Sequence, residues 1–371
     1  MQATVMEPES APKEALIAPL SDISASLHGS RQVQVVDVMH SNDTQASLDN
    51  GNSDEEANGK ADTPGLASNE GLLDDVPLDI DVQSIAAIDL IHYRLMTLDG
   101  LDLHRFKQMM RLSVRQNLIS KIEHLDCATQ LEEVDFYDNR ISSIANLQSL
   151  VNIKMLDLSF NKIRRIQGIE SLTRLKDLYF VANKLSVIEN LDRLTCLTNL
   201  ELGANRIRKL ENLSSLVNLE QLWVGKNKIS KIEGLDGLHH LRLISIQSNR
   251  LTKIEGLEGL RNLEELYLSH NAIERIEGLE HNTKLTTVDV SSNRITELEG
   301  IAHLMELEEL WASNNQLSKF QQVEAQLADK SKLVTVYFEG NPLETDMRGA
   351  YRGKVRMLLP QVRQIDAAYV R

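Results

Sequence analysis

One asparagine recurs at a constant interval through most of this chain. Each stands in the pattern L-x-x-L-x-L-x-x-N-x-I-x-x-I-x-G-L. Ten keep the interval unbroken: Asn117, Asn139, Asn161, Asn183, Asn205, Asn227, Asn249, Asn271, Asn293 and Asn315. A weaker unit with Tyr93 in the same column precedes them, and Asn341 marks a last unit after a four-residue insertion, giving 12 units. This period predicts a solenoid, because one unit cannot bury its own leucines and stacked units can.

The pattern is the leucine-rich-repeat signature. In each unit the L-x-L segment predicts a short strand, and the residues after it predict a turn and a 3₁₀ or helical return. The predicted fold class is an α/β leucine-rich-repeat solenoid of about 12 units of about 22 residues, with a curved parallel sheet on its concave face. We expect the solenoid over residues 84–343 and a C-terminal cap over residues 344–371, where Pro360 ends a helix containing Val355 and Leu358.

The formal charge of −14 is concentrated before the repeats. Residues 1–80 contain 15 Asp/Glu and 3 Lys/Arg, a net charge of −12, which leaves −2 for the rest of the chain. They also contain five of the seven prolines and no aromatic residue, so they cannot bury enough apolar surface to offset chain entropy. We predict a disordered acidic tail over residues 1–80. Its strand-like stretch, residues 32–38, could be a docking motif, but the favoured interpretation is a fluctuating apolar stretch.

Motifs that carry catalysis are missing from the sequence. It contains no P-loop, dinucleotide-binding glycine motif, H-E-x-x-H pair or G-x-S-x-G elbow. The two cysteines, Cys127 and Cys196, are too few for a disulfide scaffold or a four-thiolate zinc site and indicate a reducing compartment. We therefore expect a soluble intracellular protein that is not an enzyme and has no metal or cofactor. The acidic composition argues against nucleic-acid and membrane partners.

Three polar columns repeat with the unit. A side-chain amide at a bend can satisfy backbone groups that the turn leaves unpaired, so we interpret the asparagine column as structural. The second column is acidic: Glu123, Glu189, Glu211, Glu233, Glu255, Glu277 and Glu299. The third column is basic: Arg140, Lys162, Lys184, Arg206, Lys228, Arg250 and Arg294. We expect the glutamates to be solvated or paired with these bases.

The variable strand positions describe a surface. In a strand x-L-x-L-x the leucines point into the core and the x positions point to the concave face, because side chains alternate with period two. The candidate binding residues in these columns are aromatic or acidic: Asp157, Tyr179, Glu201, Trp223, Tyr267, Asp289, Glu309, Trp311 and Tyr337. We expect them to be exposed, since the leucines occupy the inward positions. Aromatic side chains among carboxylates favour a protein partner with basic and apolar groups.

Several longer runs match a known family. The I-x-x-I-E-G-L unit, the run L-I-S-I-Q-S-N-R-L-T-K-I-E-G-L at 243–257, L-Y-L-S-H-N at 266–271 and V-R-Q-I-D-A at 362–367 together resemble the leucine-rich-repeat regulatory subunits of protein phosphatase 1. The resemblance covers about residues 84–371. The C-terminal pattern also resembles the caps of a spliceosomal protein and an axonemal dynein light chain.

The resemblance implies a regulator that binds the catalytic subunit of protein phosphatase 1 on its concave face. It implies control of phosphatase activity, maturation and delivery to mitotic targets, a ternary complex with the inhibitor-3 protein, and a location in the nucleus and cytoplasm. All the candidates except Tyr267 match contact positions of that family, although Tyr179 and Trp223 stand where the family has phenylalanine. The alternative is a scaffold of another assembly, such as a spliceosomal or microtubule-associated complex.

Overall fold

A single sheet built from one short strand per repeat organises the fold. The computed structural model describes residues 35–37 and 82–370. Within these residues the strands are β1 Val35–Asp37, β2 Ala87–Asp89, β3 Arg111–Ser113, β4 Glu133–Asp135, β5 Met155–Asp157, β6 Asp177–Tyr179, β7 Asn199–Glu201, β8 Gln221–Trp223, β9 Leu243–Ser245, β10 Glu265–Tyr267, β11 Thr287–Asp289, β12 Glu309–Trp311, β13 Thr335–Tyr337, β14 Gln364–Ile365 and β15 Ala368–Tyr369. They pair in chain order, in parallel except for β14 with β15. The predicted leucine-rich-repeat solenoid is confirmed.

The register of the sheet never slips between β3 and β12. Leu200 in β7 pairs with Leu178 in β6 and with Leu222 in β8. All three are fully buried, because the middle residue of each strand from β2 to β13 points into the core. The first and third residues of these strands point to the opposite side. We call that side, which the sequence predicts to be concave, the open face.

The repeated asparagine joins neighbouring units through its side-chain amide. Asn205 Nδ2 donates to the carbonyl oxygens of Phe180 at 2.8 Å and Leu202 at 3.0 Å, and Asn205 Oδ1 accepts from the backbone N–H of Leu185 at 3.0 Å. The same contacts recur at the other column positions, as at Asn315. The structural interpretation of the column is confirmed.

The glycine of the consensus stands where the backbone is left-handed and lies close to the preceding unit. Gly234 has a φ of +71°, and a Cβ there would lie 2.7 Å from the carbonyl oxygen of Leu210. Several units replace this glycine with asparagine, which adopts left-handed backbone at lower cost than most residues. Asn190, with a φ of +60°, is one of them, and its Nδ2 donates to the carbonyl of Ile166 at 2.6 Å.

The glutamate column pairs with different bases from those expected. Glu189 lies 3.0 Å from Arg165 Nε, and Glu299 lies 2.8 Å from Arg275. These arginines precede the second isoleucine of I-x-x-I, one unit before their glutamate. The expected pairing with the basic column that begins at Arg140 is therefore wrong, since the bases nearest the glutamates belong to the adjacent return segment.

The insertion before the last repeat forms a helix that was not predicted from the sequence. Helix α1, Phe320–Leu327, precedes β13. Lys330 follows it and is 1% exposed, and its Nζ donates to the carbonyl oxygens of Ala302 at 3.1 Å and Leu304 at 2.8 Å. Burial lowers the pKa of Lys330 to about 8. The lysine thus fastens the insertion to the preceding unit.

The C-terminal helix is confirmed. A short helix α2, Pro342–Thr345, is followed by α3, Tyr351–Leu358, and Pro360 lies just beyond its end. Val355 is fully buried in the core. Tyr351 Oη donates to Asp366 Oδ2 at 2.8 Å, which ties the helix to the turn between β14 and β15.

The N-terminal edge of the sheet is covered by part of the predicted tail. Val35 pairs with Ala87 and Asp37 with Asp89 in a parallel ladder. The interpretation of residues 32–38 as a fluctuating stretch is therefore wrong for Val35–Asp37, because the edge of β2 offers N–H and C=O groups that a strand can satisfy. The rest of residues 1–80 lies outside the described residues, and its disorder stays a prediction. No helix in the described part of the chain is long and apolar enough to span a membrane.

We predict that Asn205→Ala destabilises the fold by about 2–4 kcal/mol, because it leaves the buried backbone N–H of Leu185 without its partner and removes hydrogen bonds to carbonyls of two units. Urea unfolding followed by circular dichroism measures the loss. The matched control is Asn218→Ala, which removes an exposed amide that makes one hydrogen bond, to the Thr195 carbonyl, and should cost less than about 1 kcal/mol. Equal losses in the two variants would contradict the structural role of the column.

Candidate functional site

The nine candidate residues all lie on the open face. Eight are the third residue of their strands, and Glu309 is the first residue of β12. Consecutive candidates pair across the sheet, Asp157 with Tyr179, Tyr179 with Glu201, and Glu201 with Trp223. The structure therefore brings them together in one continuous surface, while their role as partner contacts stays a prediction.

The candidates are less exposed than expected from the sequence. Asp157 and Asp289 are each 3% exposed and Tyr179 is 4% exposed, whereas the other six are half-buried. The expectation of exposed side chains is therefore wrong for these three. Strands about 4.8 Å apart are closer than large side chains are wide, so long side chains cover the two shorter aspartates. Tyr179 lies against its neighbours instead, and its Oη accepts from Asn199 Nδ2 at 3.2 Å.

Four aromatic rings form a continuous row on the C-terminal part of the open face. Trp223 and Tyr267 stack with centroids 6.4 Å apart, Tyr267 and Trp311 meet at 6.3 Å with a 62° interplanar angle, and Trp311 meets Tyr337 at 5.9 Å. We call these residues the aromatic row. Such pairs contribute stabilisation beyond their buried area.

Short side chains on the intervening strands allow the rings to meet. Ser245 stands between Trp223 and Tyr267, and Asp289 stands between Tyr267 and Trp311. Both are 3% exposed, because the rings lie over them. Ser245 was not recognised from the sequence as part of the site, although the alternation of long and short residues in this column was visible.

The first residue of a strand orients the ring on its third residue. Tyr267 Oη donates to Glu265 Oε2 at 2.6 Å, and Trp311 Nε1 donates to Glu309 Oε2 at 3.0 Å. Residues two apart in a strand share a face, so these bonds lie within one strand. Glu309 thus positions Trp311 as well as contributing a carboxylate to the surface.

Three carboxylates lie together before the aromatic row, namely Asp157, Asp177 and Glu201, which we call the acidic cluster. Burial raises the pKa of Asp157 to about 6, and the charge of Asp135 adds to this shift. A hydrogen bond from the Ser159 backbone N–H at 2.8 Å acts in the opposite direction. Burial raises the pKa of Glu201 to about 7, and the charges of Asp157 and Asp177 add to it.

The acidic cluster differs from the acids of the first strands in its partners. Arg115 lies 3.3 Å from Asp135 and over the ring of Tyr137 at 4.3 Å. Asp135 therefore already has a cationic partner within the chain. Within residues 82–370 no Lys or Arg forms an ion pair with the acidic cluster. Its carboxylates are therefore available to pair with an external cation.

Among the described residues no three His, Cys, Asp or Glu side chains are placed to hold a metal ion. The open face combines a row of oriented rings with an acidic cluster that forms no ion pair within residues 82–370. That combination recognises a surface with apolar and cationic groups.

Two family models match the sequence. The model described as "Leucine-rich repeat" matches residues 109–224, and the model described as "Leucine Rich repeats (2 copies)" matches residues 217–261, 239–281 and 261–303. Together the matches span more than half of the chain. It is a leucine-rich-repeat protein.

Solved structures share the fold of this leucine-rich-repeat protein. An internalin (inlF) from Listeria monocytogenes superimposes with a TM-score of 0.63 and 23% identity, covering 78% of this chain and 88% of the internalin. A leucine-rich-repeat protein of Leptospira interrogans gives a TM-score of 0.56 and 20% identity, covering 76% of this chain and 84% of its own. At these identities the likeness shows the fold alone.

Curated relatives of this leucine-rich-repeat protein carry the names of phosphatase regulators, and the predicted resemblance is confirmed. Protein phosphatase 1 regulatory subunit SDS22 of Saccharomyces cerevisiae is 46% identical over 98 residues, 26% of this chain and 28% of the relative. The protein of the same name from Schizosaccharomyces pombe is 55% identical over 51 residues, 14% of this chain and 15% of the relative. Protein phosphatase 1 regulatory subunit 7 of Mus musculus is 54% identical over 46 residues, 12% of each. The chain thus spans between 12% and 28% of the length of these relatives.

We predict that Glu201→Gln stabilises the protein at pH 8 by about 1–3 kcal/mol. The folded-state pKa of about 7 lies above the ordinary value of 4.5, so the folded protein holds this proton more tightly than the unfolded chain. The contribution of Glu201 to stability is present below about pH 4.5 and is lost as the pH rises through 7.

Urea unfolding at pH 4.5, 6 and 8 measures this dependence, which the variant should flatten. The matched control is Glu220→Gln at an exposed position just before β8, which should leave the pH profile unchanged. If the free energy of unfolding fell more steeply with rising pH in the Glu201→Gln variant than in the unaltered chain, the raised pKa of Glu201 would be contradicted.

Proposed function

We propose that this protein is a non-catalytic regulatory subunit that binds the catalytic subunit of protein phosphatase 1 through its open face. The observation that carries the proposal is the aromatic row beside the unpaired acidic cluster. The aligned segments of the curated relatives, which are named as regulatory subunits of that phosphatase, supply the identity of the partner.

The aromatic row is suited to a tight contact with a folded partner. Its rings are half-buried and already held, as Trp311 is by Glu309. Little side-chain entropy is therefore lost when a partner packs against them. Tryptophan and tyrosine are the side chains that most often dominate interface energies.

The acidic cluster adds electrostatic selection. The cost of burying Asp157 and Glu201 is incurred when the protein folds, which is why their pKa values are raised. A lysine or arginine of the partner would restore their ionised forms and offset that cost. Carboxylates also steer a basic surface toward the face and repel phosphate groups.

We further propose that binding controls the activity, maturation or mitotic targeting of the phosphatase, and that inhibitor-3 protein joins in a ternary complex in the nucleus and cytoplasm. The resemblance of residues 84–371 to the regulatory subunits supports these finer points. A cell-free reconstitution with the three purified proteins tests the ternary complex by size-exclusion chromatography.

We predict that the double variant Trp223→Ala, Trp311→Ala weakens binding to the phosphatase catalytic subunit at least 100-fold, because two of the four rings of the row are removed. Calorimetric titration of the full chain with the purified catalytic subunit measures the affinity. Circular dichroism establishes that the variant stays folded.

The matched control is Val217→Ala, Met305→Ala, which truncates two side chains that are 46% and 47% exposed on the return segments. It should change the affinity less than threefold. Undiminished binding by the tryptophan variant would overturn the proposed binding face. An unbiased pull-down that recovers a spliceosomal or microtubule complex and no phosphatase would overturn the proposed partner.

A further inference from the structure

Five consecutive repeats carry a basic heptapeptide that the proposed function does not use. Each heptapeptide begins one residue before the repeated asparagine: 160–166, 182–188, 204–210, 226–232 and 248–254. Together they contain 12 Lys/Arg and no Asp/Glu. The heptapeptides at 138–144 and 270–276, on either side, each contain an acid, Asp138 and Glu274. We call the surface of the five heptapeptides the basic flank.

The solenoid stacks these heptapeptides in register. The residue after each asparagine donates its backbone N–H to the preceding unit at 2.8 Å, as Lys184 does to Ile163 and Arg206 does to Leu185. One cation therefore follows another about every 5 Å, the spacing of the strands. Arg206 is exposed and Lys184 is half-buried.

The central column of the basic flank has no internal counter-ions. Its members are Lys162, Lys184, Arg206, Lys228 and Arg250. Among residues 82–370 no ion pair and no side-chain hydrogen bond reaches them, whereas Arg165 and Lys209 at the border of the flank pair with Glu189 and Glu233. Like charges about 5 Å apart repel one another, so an anion bound along the column would relieve a repulsion that the fold leaves in place.

The width of the basic flank decides which class of anion fits. The glutamate column with Glu189, Glu211 and Glu233 follows the heptapeptides directly, which limits the basic strip to a few residues across. A membrane surface or a nucleic-acid duplex would extend over those carboxylates. Single-stranded nucleic acid is held through stacking on aromatic side chains, and Phe160 is the one aromatic residue in the five heptapeptides. An extended acidic polypeptide fits the strip.

The length of the basic flank sets the charge density of its ligand. Five units at about 4.8 Å extend over roughly 20–24 Å, the length of about seven residues of extended chain. Within residues 1–80 no seven-residue window contains more than three acids, as in 53–59 and 73–79. The acids of residues 1–80 are therefore spaced too widely along the chain to neutralise the basic flank.

We infer that the basic flank binds an acidic segment of another protein, with at least five Asp or Glu within seven consecutive residues. The flank lies outside the strands that form the open face, so its residues are separate from those of the proposed phosphatase contact.

The test uses the full chain and a fluorescein-labelled decaglutamate peptide at about 50 mM salt, with binding followed by fluorescence anisotropy. The triple variant Lys184→Gln, Arg206→Gln, Lys228→Gln should bind the peptide at least tenfold more weakly. Raising the salt to about 200 mM should also weaken binding to the unaltered chain, because exposed charges are screened.

The matched control is Lys154→Gln, Arg242→Gln, Lys332→Gln, which removes three bases that pair with Glu132, Glu264 and Glu306 and should change the affinity less than threefold. Thermal unfolding establishes that both triple variants are folded. No peptide binding, or equal losses in the two variants, would overturn the inference. Tighter binding of labelled deoxythymidine decamer than of the peptide would also overturn it. So would a tenfold gain in peptide affinity when the acids of residues 38–80 are neutralised, because the tail would then be the occupant of the basic flank.

Discussion

The side-chain amide of the repeated asparagine is the contact on which the other features depend. A strand as short as β7 cannot satisfy the backbone of the turn that follows it, and a single repeat cannot bury its own leucines. Asn205 addresses the first problem by bonding carbonyls of its own and the preceding unit, and the bonds it forms bring the leucines of the two units together. Since the same amide recurs in the following units, the register stays constant from β3 to β12.

A constant register makes the surface predictable from the sequence. The positions on either side of each buried leucine were assigned to one face by alternation alone, and the structure places all nine candidates there. Helix α1 was missed because it lies in the segment lengthened by the four-residue insertion before Asn341, which departs from the 22-residue period. The pairing of the strand Val35–Asp37 was not predicted, because its partner, β2, lies beyond the end of the predicted tail and is distant in sequence.

Burial and pairing of the candidates could not be derived from one repeat at a time. Asp289 is covered because the rings of Tyr267 and Trp311 meet above it, and those three residues come from three different units. The glutamates likewise pair with arginines of a neighbouring unit, as Glu189 does with Arg165. Such contacts depend on the lengths of side chains that lie one or two repeats apart, which a consensus pattern does not describe.

The open face combines features that folding alone would not favour. Asp157 and Glu201 are at least half-buried without an ion pair within residues 82–370, and large rings remain half-exposed on the same face. Both become favourable when an apolar and cationic surface covers the face, so the same side chains that cost stability in the free protein favour a complex. This balance links the chemistry of the sheet to the proposed role as a phosphatase regulator.

Hydroxyl-radical footprinting of the full chain, with and without the catalytic subunit of protein phosphatase 1, tests the proposed binding face most directly. We predict that oxidation of Trp223, Tyr267 and Trp311 falls several-fold in the complex, while Met357, which is 73% exposed outside the open face, is oxidised as before. Protection of Met357 with unchanged oxidation of the rings would contradict binding through the open face.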